Sequence, residues 1–95
     1  MNVIWSPEAI QDLISLRAHV AQQSPAGARR IVLGILHNVE QLLPNYPHIG
    51  RPGRVPGTRE LIISQTPYIV PYRVRGEAIQ ILRVYHSARR WPESF

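Results

Sequence analysis

Twice in its N-terminal half the chain places a serine directly before a proline, Ser6-Pro7 and Ser24-Pro25, and each pair opens a run of apolar residues at helical spacing. A serine hydroxyl can cap the free amide groups of a first turn. Proline is harmless at the first helical position, where its missing N–H would have no partner anyway. Glu8 adds a carboxylate near the positive end of the first helix. Ile10, Leu13, Ile14, Val20 and Ala21 predict its buried stripe, with Asp12 and Arg17 off it. Ala28, Ile31, Val32, Ile35, Val39, Leu42 and Leu43 predict the second stripe, which is expected to stop before Pro44. With only Gln22-Gln23 and the capping Ser24 between them, the two helices should form an antiparallel hairpin. Such a hairpin needs an apolar surface to cover, and the rest of the chain must supply it.

That surface reads as strands. Asn2–Trp5 is a short β-branched run ahead of the first helix, and three more runs follow residue 58: Arg59–Ser64, Tyr68–Arg75 and Ala78–Tyr85. Gly76-Glu77 is a tight connection, and the last three runs read as an antiparallel meander. Pro71 has no amide hydrogen for a ladder, so the sheet should bulge there or turn that position away from a neighbour. The expected fold class is therefore α+β, in the order β-α-α-β-β-β, an antiparallel sheet with the helical hairpin packed on one face. The 95 residues suit one domain spanning 1–95, which would bury roughly 60 to 65% of the surface of its unfolded chain. Pro44–Thr58 is the single long irregular segment. Its prolines, its glycines, Arg51 and Arg54 make it a shaped loop, either a connector or a functional one.

Composition excludes several classes. There is no cysteine, hence no disulfide, thiol nucleophile or thiolate zinc site. The four histidines show no ligand spacing, so neither a metal nor any other cofactor is expected. No stretch is apolar enough for a membrane span, and the first residues carry no basic leader, so a cytoplasmic protein without membrane contact is expected. The net charge is +5, with 11 basic residues against 6 acidic, and every basic residue is arginine. Either a GC-rich genome or a need for bidentate anion binding would produce that bias.

Alternation in Tyr68–Arg75 sets Tyr68, Val70, Tyr72 and Val74 on one face and Ile69, Pro71, Arg73 and Arg75 on the other. One sheet face can thus be greasy under the helices while the other is open, concave and cationic. Arginines there would stabilise a phosphodiester's developing charge or meet an acidic partner, and His86 is the one residue suited to proton transfer beside them. A histidine at a strand end also serves as a structural hydrogen bonder.

Four segments together, Trp5-Ser6-Pro7-Glu8-Ala9, 52–61 (PGRVPGTREL), 68–74 (YIVPYRV) and 81–92 (ILRVYHSARRWP), resemble the RelE/ParE superfamily of type II toxin–antitoxin toxins across almost the entire chain. The resemblance implies either of two activities. RelE-like members are ribosome-dependent mRNA endoribonucleases, and ParE-like members, also known as plasmid stabilisation proteins, poison DNA gyrase. If the ribonuclease alternative holds, Arg59, His86 and Arg89 are the implied catalytic residues. Target or antitoxin binding falls to Arg73, Arg75, Arg83, Arg90 and Trp91. This chain has Ile69 where the RelE pattern has an arginine after the aromatic, and an apolar Arg59–Ser64 strand where RelE carries lysines. Both departures point to the ParE-like branch, a gyrase inhibitor without catalysis of its own. The implied partners are a cognate antitoxin protein and gyrase or the ribosome as target, with operator DNA reached only through the antitoxin.

Overall fold

A computed structural model describes residues 1–95. β1 (Asn2–Trp5) leads into α1 (Pro7–Ala21), and α2 (Pro25–His37) continues as a π-helical stretch over Asn38–Leu42 and a last turn over Leu43–Asn45. β2 (Arg51–Pro52), β3 (Arg59–Ile62), β4 (Tyr68–Arg75), β5 (Ala78–Ile81) and β6 (Tyr85–His86) follow. Both serine caps form as the sequence predicts: Ser6 Oγ accepts from Ala9 N and Ser24 Oγ from Gly27 N, each at 2.9 Å. The second helix runs past Pro44 rather than stopping before it. The wider π-turn, in which the Leu43 amide reaches back to Asn38 O, accommodates the proline ring that an ordinary α-turn would clash with.

The sheet has the order β1-β5-β4-β3-β2, with β6 joining β4 beyond the end of β5. It is mixed rather than wholly antiparallel: β1 lies beside β5 in parallel, Val3 opposite Ile79 and Trp5 opposite Ile81. Hairpin turns reverse the chain between β3, β4 and β5, but β1 reaches its place through the helices and is free to enter in either direction. At Pro71 the expected irregularity appears in the facing strand. Tyr72 is opposite Ile81 and Ile69 opposite Tyr85, so one residue too many lies between β5 and β6. That bulge ends the predicted Ala78–Tyr85 run at Ile81 and re-aims Arg83 and Val84.

Ala9, Leu16, Ile35, Val39, Leu43, Leu61, Val70, Tyr72, Ile79 and Ile81 meet in one core between the helices and the sheet. The α1 stripe is rotated from its predicted setting: Ala9, Leu13 and Leu16 face inward, whereas Ile10 and Ile14 are exposed. In this setting Asp12 reaches Arg83 across the bulge. No helix is long and apolar enough to cross a membrane.

Candidate functional site

Arg73 sits on β4 opposite Gln80 of β5, on the sheet face away from the helices. Beside it, where β1 gives way to α1 and the chain emerges from the bulge, lies a cleft of about 590 Å³. Arg73, Arg83, Arg89, Arg90 and Trp91 all line it, together with Tyr85 and Glu8. Four of the five residues expected to bind a target or antitoxin therefore converge. Arg75, the fifth, is exposed beside the β4–β5 turn, opposite Ala78, and lies outside the cleft.

The cleft's charges are not equivalent. Arg83 grips Asp12 with two bonds, Nε to Oδ2 at 2.7 Å and Nη2 to Oδ1 at 2.9 Å, and the Val84 amide adds a third bond to the same carboxylate. The hydrogen bond to Asp12 raises the Arg83 pKa further above its ordinary value, against the opposing effect of burial. Arg73, Arg89 and Arg90 have no carboxylate partner. Arg83 and Arg89 lie over the Tyr85 ring, 4.7 and 4.4 Å from its centre, and Arg54 lies over Trp91 at 4.0 Å. The Trp91 ring meets Tyr85 edge-on, with centroids 5.1 Å apart. Nε of Arg73 and Nε1 of Trp91 are sealed from solvent and donate to nothing.

The face is less open than alternation suggests, because Ile69 and Pro71 are buried. Tyr85 stands beside Ile69 and Glu60 beside Pro71 on the neighbouring strands. Glu60 itself is 1% exposed. Its Oε1 accepts from Arg51 Nε at 3.1 Å and Nη2 at 2.8 Å, and its Oε2 from the Arg54 amide at 2.7 Å. Sequence reasoning missed this role. Its signal was a single glutamate inside an apolar strand, following a loop with arginines at 51 and 54. The Tyr72 hydroxyl also ties the loop down, accepting from Gly50 N at 2.9 Å and donating to Pro47 O at 2.8 Å. Burial pushes its pKa up, partly offset by the Gly50 hydrogen bond and by Arg59.

The three residues implied for ribonuclease chemistry do not share one place. Arg59, on β3 opposite Tyr72, donates to the carbonyls of Gly50 at 2.8 Å and His48 at 3.2 Å. His86 is opposite Tyr68, four residues along the same strand and roughly 13 Å away by strand rise. It is exposed, packs edge-on against Tyr68, and its Nδ1 accepts from the Ala88 amide at 3.0 Å. Arg89 does lie near it: both line a shallow cleft with His19 and Asp12, on the side of the helices.

Over residues 3–91 the chain matches the family described as ParE toxin of type II toxin-antitoxin system, parDE. The Sinorhizobium fredii protein Y4kP, whose name calls it a toxin, is 38% identical over 92 residues, covering 97% of this chain and 94% of that one. A chain of the chromosomal ParDE toxin–antitoxin system from P. aeruginosa is similar in structure, with a TM-score of 0.75 and 33% identity over 90% of this chain and 95% of the other. A chain of the toxin–antitoxin complex RelBE2 from Mycobacterium tuberculosis gives 0.63 and 25%, over 93% and 92%.

Proposed function

From the premise that the chain belongs to the ParE toxin family of type II toxin–antitoxin systems, we propose that it arrests growth by inhibiting DNA gyrase, without catalysis of its own, and is silenced by a cognate antitoxin. The observation that carries the reading is the separation of Arg59 from His86 and Arg89: Arg59 pairs opposite Tyr72 on one side of β4, whereas His86 pairs opposite Tyr68 on its other side, with Arg89 beside it. A ribonuclease must bring a proton carrier and charge-stabilising groups to one phosphate. Here Arg59 is bonded to loop carbonyls, and His86 faces the helices rather than the arginine cleft. The match to the family described as ParE toxin favours the same branch.

Antitoxin binding is supported by the solved relative, which comes from a toxin–antitoxin system. This chain also has a groove of about 530 Å³ between α1 and α2, lined by Ala21, Ala28, Val32 and Leu33 with Arg17 and Arg29 at its margin. An amphipathic segment with acidic flanks would suit that groove.

The test is a paired assay on the purified chain. Supercoiling by gyrase should fail and cleaved DNA–gyrase complexes should accumulate, while mRNA on ribosomes stays intact. Ribosome-dependent mRNA cleavage, abolished by His86→Ala, would instead establish the ribonuclease reading. Cells making the chain alone should stop growing, and co-expression of the adjacent reading frame should rescue them.

A further inference from the structure

The geometry points to the Arg73–Trp91 cleft as a binding site for a carboxylate carried on a partner's acidic, partly apolar peptide segment. Arg73 and Trp91 both line one cleft, and each carries a buried donor, Nε and Nε1 respectively, that has no acceptor. Buried donors are seldom left unmet, and a charged one is the costliest to leave so. Around them Arg73, Arg89 and Arg90 lack carboxylate partners, and Glu8 is the one acidic residue in the lining. The cleft is therefore short of negative charge by more than its own residues supply.

The choice of peptide over nucleic acid follows from the aromatic rings. A protein that binds single strands needs a free ring face on which a base can stack. Guanidinium groups already lie over Tyr85 and Trp91, Arg83 and Arg89 on the former and Arg54 on the latter, and Phe95 packs against Tyr85 as well. What lines the cleft is a set of guanidinium groups without carboxylate partners, bordered by Leu82, Pro92 and Phe95, which suits a carboxylate flanked by aliphatic side chains. Access is built in, because Arg90–Phe95 makes no hydrogen bond or ion pair and is held by ring contacts alone. Such a segment opens at little cost. The proposal rests on the reading that a partner segment covers this toxin, and not on which target the toxin has.

The two indole N–H groups provide the experiment. Trp5 Nε1 donates to Glu40 Oε1 at 2.7 Å and serves as the internal control, whereas Trp91 Nε1 is free to respond. Amide and indole resonances of the full ¹⁵N-labelled chain would be followed while adding a blocked peptide alternating leucine and glutamate, its leucine–glutamine counterpart, or oligothymidylate. The acidic peptide should move the Trp91 indole signal downfield and leave that of Trp5 in place, and the glutamine peptide should do neither. Arg73→Gln should weaken peptide binding by about tenfold or more, as expected for losing a charge-assisted hydrogen bond. Arg90→Gln, an exposed change that cannot unfold the chain, should weaken it several-fold.

An unmoved Trp91 signal at saturating acidic peptide would overturn the proposal. So would oligothymidylate binding as tightly as the peptide, or full peptide affinity in both variants. None of these outcomes bears on rescue by co-expression, so failure of the cleft and failure of the antitoxin reading are separately visible.

Discussion

Two groups of arginines sit on the same side of the sheet and have opposite fates. Arg51 and Arg54 converge on the buried carboxylate of Glu60 and hold the proline-rich loop against β3. Arg73, Arg89 and Arg90 crowd a cleft whose one acidic lining residue, Glu8, pairs with none of them. A paired guanidinium contributes to the fold, while an unpaired one in a crowded, partly dry cleft is a demand for an anion. Counting arginines in a sequence cannot separate the two uses; locating their carboxylates does.

The sharpest way to break this contrast is Glu60→Ala, which strands the Arg54 amide and leaves two guanidinium groups side by side. Both arginine side chains are about half exposed, 47% and 45%, so water compensates in part. A loss of about 2 to 3 kcal/mol in unfolding free energy is expected in urea titrations. A change under about 0.5 kcal/mol, the size of an ordinary surface effect, would mean the loop is held by something else.

Next in size is an alkaline effect in the same anchored region. Burial raises the pKa of Tyr68 and Tyr72 above the ordinary phenol value of 10.0. The folded chain therefore holds protons that the unfolded chain releases, and stability is present below pH 10 and declines as pH rises from there toward the folded pKa values. Urea midpoints measured from pH 8 upward should be level at first and then drop. Tyr72→Phe should reduce the drop and lower the plateau by about 1 kcal/mol for its two lost loop bonds. An equally steep alkaline decline in that variant would assign the effect elsewhere.

The smallest effect is expected on the unpaired side. Arg90→Gln should change unfolding free energy by no more than about 0.5 kcal/mol, because the residue is exposed and has no ion-pair partner. A marked loss would show that Arg90 supports the fold after all. A gain would fit relief of repulsion within the cleft.

Much of the scaffold was legible from local pattern. Ser6-Pro7 and Ser24-Pro25 start helices where predicted, and the alternation from Tyr68 to Val74 puts Val70 and Tyr72 in the core. Pro71 announced an irregular ladder, although the extra residue proved to lie across from it. The site was legible only as a list: Arg73, Arg83, Arg89, Arg90 and Trp91 do meet in one cleft, but Arg75 lies outside it, Arg59 joins Arg73 in a separate pocket, and His86 joins Arg89 in another.

The amino-acid order alone determined the caps, the helical hairpin, the strand runs and the strongly basic character, since each depends on residues within a turn or two of one another. Tertiary structure decided that β1 enters parallel to β5, that Asp12 claims Arg83 from 71 residues away, that Glu60 claims Arg51 and Arg54, and that His86 faces the helices. Chain direction in a sheet, the partner of a charge and the face on which a side chain emerges after a bulge are set by neighbours distant in sequence. Local propensity carries no record of them.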